Sequence, residues 1–224
     1  MNLGDFVQSK ISQGDAYEVI GTLGSGGFGA VWKVNRLSDN EEFAMKVPKS
    51  DPVMIKALKK EYEVLRRLAE LNVPNVVHAV ELCGHIDSVG NKLPVLIMTK
   101  AEGSNIDSWM LKGAISEDDC LDIAKKMCET VAALHEAGYI HRDIKPENVM
   151  LADLGGRNKV TFIDLGIAAL KADKDTHVMV SLLAHSHHWS PPEQRANSAQ
   201  VSIGNDIFSV GATIFAMLLG SASS

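Results

Sequence analysis

Six consecutive residues near the amino end, Gly24-Ser25-Gly26-Gly27-Phe28-Gly29, include four glycines. Few folds accommodate such a run except at a sharp turn or where backbone closely approaches another group. The flanks narrow the choice. Residues 17–23 (YEVIGTL) and 30–36 (AVWKVNR) carry β-branched and aromatic side chains in rough alternation, which predicts two strands with the glycines at a hairpin tip. The spacing G-x-G-x-x-G also occurs where its last glycine opens a helix that holds a pyrophosphate, a setting these strand-like flanks do not match. A hairpin tip can cover phosphates as a lid or serve only as a flexible turn, and the stretch alone leaves both open.

A chain of 224 residues suffices for one large domain or two lobes sharing a cleft. Its net charge of −6 supplies no general basic surface, so neither nucleic acid nor an anionic membrane is expected as a partner. Cys83, Cys120 and Cys128 are odd in number and lack metal-ligand spacing, which predicts reduced, buried thiols in a cytoplasmic protein. Residues 1–16 lack the basic flank and apolar run of a signal peptide and are expected to be a short exposed extension. The most apolar stretch, IFSVGATIFAMLLG at 207–220, is shorter than the ~20 residues that cross a bilayer and is predicted to be a buried core helix.

Along the chain, EFAMKV alternates so that Ala44 and Lys46 share a face. Asp51 is placed to cap a helix whose first residue is Pro52. On that helix Leu58, Leu65 and Leu68 form a stripe that also contains Glu61. A carboxylate there either snorkels to water or turns inward to meet Lys46. PVLIMTKAEG (94–103) predicts a buried strand entering a connector. A second long helix is expected over 117–137, capped by Ser116 and ended by Gly138, with Leu121, Ala124, Met127, Cys128, Val131 and Leu134 in the core.

Directly afterwards YIHRDIKPENVML (139–151) gathers His141, Arg142, Asp143, Lys145 and Asn148, with Pro146 forbidding a continuous helix. A charged surface loop explains the polarity but not the concurrence with Gly24–Val31, Lys46, Glu61 and Asp164-Leu165-Gly166. Together these segments resemble the signature set of eukaryotic-type serine/threonine protein kinases, from about Tyr17 to Gly220. The resemblance implies an α+β, bilobal kinase fold: a β-rich N-lobe over about 17–98, a hinge at 99–103 and a mainly helical C-lobe over 104–220, followed by a tail at 221–224.

It also implies ATP and Mg²⁺ as cofactors and a protein with a serine or threonine acceptor as substrate. Leu23 to Val31 would fold over ATP, with Gly24, Gly26 and Gly29 letting backbone N–H groups reach the phosphates. Lys46 would hold the α- and β-phosphates, and Glu61 would orient Lys46. Val31, Ala44 and Met150 would sandwich adenine beside a gatekeeper Met98, with backbone groups of Thr99 and Ala101 pairing with its edge. Asp143 would take or orient the acceptor proton and Lys145 would neutralise the transferring group, a lysine at that position marking serine/threonine specificity. Asn148 and Asp164 would bind the metal.

Two departures stand out: Leu165 replaces the commoner phenylalanine, and Pro191-Pro192-Glu193 replaces alanine-proline-glutamate, with Ser186 near the acceptor position. Arg142 before Asp143 suggests control by phosphorylation, with Thr176 and Ser181 as acceptors; the alternative is an arginine satisfied by neighbouring carbonyls. The HSHH run at 185–188 lacks further ligands at zinc spacing.

At the carboxyl end Asp206 is expected to brace the catalytic loop. The family's further helices, with the arginine that pairs at the position of Glu193, do not follow. The expectation is a short C-lobe in a fragment, or a miniature kinase completed by a partner chain that covers the apolar side of 207–219. Three classes follow: an ATP-dependent protein kinase, a kinase-fold ATP-binding module without turnover, and a small-molecule phosphotransferase of related fold.

Overall fold

The computed structural model describes residues 5–8, 15–86, 90, 92–113, 115–153, 157–165, 169–170, 189–196 and 202–220. The chain divides into two compact units, one made of Met1–Ala69 with Val77–Lys100 and the other of Glu70–Val76 with Ala101–Ser224.

The first unit holds a six-stranded antiparallel sheet and one helix. Its strands are β1 (Phe6–Gln8), β2 (Ala16–Gly26), β3 (Gly29–Arg36), β4 (Glu42–Pro48), β5 (Ala79–Ile86) and β6 (Lys92–Thr99), in the order β1-β2-β3-β4-β6-β5. Pairing of Gly26 with Gly29 leaves Gly27-Phe28 as a two-residue hairpin loop, so the glycine stretch is the strand connection that its flanks predict. Register shifts between Val19 and Gly21 and between Thr22 and Gly24 bend β2 as it nears this tip.

Alternation along the strands sorts the side chains to two faces. One face carries a core of Val7, Tyr17, Val19, Val34, Phe43, Met45, Cys83, Val95 and Ile97; Ala44, Lys46, Leu96 and Met98 therefore project from the other. The amino-terminal segment is not wholly an exposed extension: β1 pairs with β2, packs against β5, and places Val7 at 1% exposure in this core.

The same core encloses a polar contact. The Tyr17 hydroxyl donates to buried Glu81 Oε1 at 2.8 Å, and burial, then this hydrogen bond, raises the Tyr17 pKa. Tyr17→Phe keeps the ring packing against Phe43 and removes the hydroxyl with its bonds to Glu81 and Arg36. Its expected effect is a loss of ~1.5–3 kcal/mol in denaturant unfolding, because the bond to Glu81 serves a buried carboxylate.

Helix α1 (Pro52–Glu70) starts as its sequence directs: Asp51 Oδ1 accepts from the backbone N–H groups of Val53 (2.8 Å) and Met54 (3.2 Å). Its buried stripe is Ala57, Leu58, Glu61, Val64, Leu65 and Leu68.

In the second unit, β7 (Ser104–Asn105) leads into α2 (Ile106–Leu111), and α3 (Glu117–Glu136) follows, its Ser116 side chain accepting from the Asp119 N–H. Then come β8 (Tyr139–Ile140), a single 3-10 turn at Pro146–Asn148, β9 (Val149–Asp153), β10 (Asn158–Phe162), β11 (Ala169–Leu170), α4 (Pro192–Ala196) and α5 (Ile203–Leu219). Strands β10-β9-β7 form one small sheet and β11-β8 another.

Two expectations are corrected here. The buried stripe of α3 is Cys120, Ile123, Met127, Thr130, Val131 and Leu134. Leu121, at 68% exposure, and Cys128 face solvent, because each lies about one residue, some 100°, around the helix from that stripe. The buried-helix expectation holds for only one side of α5, and the apolar side of 207–219 is uncovered, as the other expectation has it. The helix buries Asn205, Asp206, Ser209 and Thr213 beside Val210, Ala216 and Met217, and exposes Ile207, Phe208, Phe215, Leu218 and Leu219. Among the described residues no helix is long and apolar enough to cross a membrane.

Candidate active site

Within the first unit the sharpest feature is an ion pair on β4 and α1. Lys46 Nζ lies 2.9 Å from Glu61 Oε1 and 2.7 Å from Oε2, with the two side chains 9% and 2% exposed. Of the two fates open to Glu61, the structure shows the inward one. Two buried ions are stable only when their geometry offsets lost hydration; here a carboxylate grips the ammonium with both oxygens. Phe28 at the hairpin tip sits over Lys46, its ring centroid 5.5 Å from Nζ, and the Phe28 carbonyl accepts from Lys49 N–H at 3.1 Å.

The glycines differ in what requires them. Gly29 has φ +145°, and a Cβ there would lie 2.0 Å from the Val47 carbonyl oxygen, so the close approach of β4 already demands glycine. Cβ atoms at Gly24, Gly26 and Gly27 would meet nothing within 4 Å; their absence leaves bare, exposed backbone along the turn. Leu23 is exposed, Val31 half-buried, and Ala44 and Met98 buried, with Ala44 directly opposite Met98 across β4 and β6. Thr99 N–H donates to His78 O at 2.9 Å, which restricts the edge-pairing role expected of Thr99 to its carbonyl.

The second unit assembles the other polar cluster. Helix α3 ends at Gly138, and β8 delivers the chain into residues 141–145, where Arg142 adopts φ +75°, a left-handed conformation that a bulky side chain rarely takes. Asp206 on α5 holds this turn. Its Oδ2 accepts from His141 N–H and its Oδ1 from Arg142 N–H, both at 2.8 Å, while His135 Nε2 on α3 lies 2.8 Å from Oδ2. Burial pushes the Arg142 guanidinium down to about 10, with Asp206 opposing the shift, so it stays charged at neutral pH.

From this turn Asp143 projects beside two partners. Lys145 Nζ is 3.0 Å from its Oδ2, and Asn148 Nδ2 donates to both Oδ2 and the Asp143 carbonyl, each at 2.9 Å. Asn148 N–H donates to Lys145 O at 3.0 Å, and its carbonyl accepts from Ile163 N–H at 3.1 Å, which ties the 3-10 turn to the residue before Asp164. With its Nδ2 turned to Asp143, Asn148 keeps a side-chain oxygen for a hard cation, and half-buried Asp164 adds carboxylate oxygens. This donor set fits Mg²⁺. Leu165 is fully buried, in keeping with an apolar exchange at that position. Met150, on β9, pairs with Asn105 and Thr161, and Ala101 is half-buried.

The candidate residues therefore fall into two groups, Leu23 through Thr99 in the first unit and Ala101, Asp143, Lys145, Asn148, Met150 and Asp164 in the second. Gly166, Thr176, Ser181, Ser186 and the histidines of 185–188 lie outside the described residues. Sequence reasoning passed over Phe28, His135, Gln194 and Asn205. Only Phe28 carried a local signal, an aromatic residue in a glycine turn.

The protein kinase domain profile matches residues 17–223, and the chain belongs to the protein kinase family. It is 26% identical over 213 residues to the probable serine/threonine-protein kinase PknB of Corynebacterium glutamicum, covering 92% of this chain and 32% of that protein. It is 30% identical over 207 residues to CBL-interacting protein kinase 21 of Oryza sativa subsp. japonica (91% and 38%), and 27% identical over 207 residues to the maternal embryonic leucine zipper kinase of Xenopus tropicalis (91% and 30%). The chain spans about a third of the length of these relatives.

Proposed function

We propose that this chain is an ATP-dependent serine/threonine protein kinase. The observation that carries the reading is the ordering of Asp143: one carboxylate oxygen receives both Asn148 and Lys145, beside a backbone turn held by Asp206. Asp143 accepts the proton of the acceptor hydroxyl as its oxygen attacks the γ-phosphorus and the bond to the ADP oxygen breaks. Lys145 offsets charge on the transferring group. In the first unit, Lys46 steadies the α- and β-phosphates, and Glu61 confines the lysine to one conformation. The bare backbone of Gly24 and Gly26 offers N–H groups to phosphate oxygens. Val31, Ala44, Met98 and Met150 provide apolar contact for adenine, Leu23 closes over it, and Thr99 O and Ala101 backbone groups read its edge. Asn148 and Asp164 would hold Mg²⁺, which when bound neutralises phosphate oxygens.

On this reading the domain covers 17–220, with 99–103 as the hinge. The relatives' names support a protein acceptor with serine or threonine, and an odd number of cysteines without metal-ligand spacing supports a reducing compartment such as the cytoplasm.

The test is transfer of label from γ-labelled Mg-ATP to a basic protein acceptor and to the chain itself, followed by phosphoamino-acid analysis. Phosphoserine or phosphothreonine that disappears on chelating Mg²⁺ supports the reading. ATP-dependent thermal stabilisation without any transfer overturns it in favour of a binding module.

A further inference from the structure

The Arg142 peptide is held on its carbonyl side as well as on its amide side, by residues to which nothing above assigns a role. Gln194 on α4 is 1% exposed, and its Nε2 donates to the Arg142 carbonyl at 2.9 Å. Its Oε1 accepts from Asn205 Nδ2 at 2.8 Å, and Asn205 is itself 3% exposed at the start of α5. Asn205 Oδ1 in turn accepts from Ser202 N–H at 3.0 Å and Ser202 Oγ at 2.8 Å.

The direction of this chain is fixed at both ends. A backbone N–H can only donate, so Ser202 compels Asn205 to present its oxygen there and its NH₂ to Gln194. A backbone carbonyl can only accept, so Gln194 must present its NH₂ to Arg142. Neither amide can flip without stranding two buried groups. Ser209 Oγ also donates to the Trp189 carbonyl at 2.8 Å, so the stretch carrying Gln194 is fastened to α5 at a second point.

We infer that Gln194 and Asn205 form a positioning relay that holds the left-handed Arg142 peptide from its carbonyl side, so that α4 and the start of α5 set the orientation of Asp143. Asp206 alone holds two N–H groups and leaves rotation about the peptide's far side unopposed. Gln194 opposes it, since turning the 142–143 peptide away from φ +75° withdraws the carbonyl that Gln194 binds. The inference rests on reading Asp143 as the proton acceptor.

The experiment compares the 224-residue chain with Gln194→Met, which keeps length and volume without polar atoms, and with Gln194→Glu, which keeps the acceptor for Asn205 but offers the carbonyl no donor when ionised. The expected result is a fall of about 10- to 100-fold in kcat for both variants, with KM for ATP unchanged to within about twofold. Backbone hydrogen exchange over 139–148 should be faster than in the parent, with melting temperature retained in at least one variant. Adding Asn205→Ala to Gln194→Met should lower kcat no further, as members of one relay are not additive.

A folded variant of either kind with parental kcat and parental exchange over 139–148 overturns the inference. So does a general loss of protection across the second unit with no preference for 139–148. If the parent transfers no phosphate, the kinase reading fails, and exchange over 139–148 still decides whether the relay holds the peptide.

Discussion

Asp143→Ala is expected to lower kcat by ~10²–10⁴, the range over which a positioned general base contributes, while ATP-dependent thermal stabilisation persists. The separation of the two readouts follows from where Asp143 sits. Among the contacts described, its carboxylate meets Lys145 and Asn148 within its own loop. Removing the carboxylate deletes the proton acceptor and releases Asn148 Nδ2 and Lys145 from one partner. The turn itself should persist, because Asp206 grips the backbone N–H groups of His141 and Arg142 and not the Asp143 side chain. Single-turnover label transfer measured beside ATP-induced melting shifts checks this; an equal loss in both would show that Asp143 is needed for the fold of its loop and not only for transfer.

Glu61→Gln should have the largest effect in the first unit. With Lys46 and Glu61 only 9% and 2% exposed, removing one charge of the pair leaves the other insufficiently compensated, a change of ~3–5 kcal/mol for a buried ion pair. Size is nearly conserved, so packing of the α1 stripe cannot account for the loss. Two consequences should appear together: a lower unfolding midpoint, and a kcat/KM for ATP reduced by a larger factor than in any variant of an exposed α1 lysine such as Lys59. Adding Lys46→Met to Glu61→Gln, which removes the stranded cation as well, should restore part of the stability without restoring transfer. Stability and activity would then part company along the same pair.

Features that depend on spacing within a few residues were legible in the sequence. The Gly27-Phe28 hairpin loop, the Asp51 cap and the Ser116 cap each follow from local chemistry and appear as expected. Lys46 and Glu61 could be placed on the correct faces of strand and helix, but only the structure shows that they meet. Features set by tertiary competition were not legible. The bracing of the His141 and Arg142 N–H groups by Asp206 and the uncovered apolar side of 207–219 were expected, but the approach of His135 on α3 to the same carboxylate carried no sequence signal. Gln194 and Asn205 carried no signal in the sequence because their partners, a backbone carbonyl and each other, are identifiable only after folding. On α3, a rotation of one residue separates Leu121 and Cys128 from the buried stripe, a distinction finer than apolar spacing resolves.

The pairing of β1 with β2 and its packing against β5 bring the two edges of the six-stranded sheet together. Such an edge-to-edge seam joins segments far apart in the chain, so its formation bears the entropy of closing a long loop and belongs late in the assembly of the unit. It is also the place where the sheet can part with the fewest hydrogen bonds broken, since β1 contributes only three residues. Local opening there exposes Val7 and its neighbours on one face and leaves β3, β4 and β6 paired. Lys46 lies on β4, between two intact partners and on the opposite face. Opening at the amino-terminal seam therefore leaves the strand that carries Lys46 paired on both sides, away from the margin that parts.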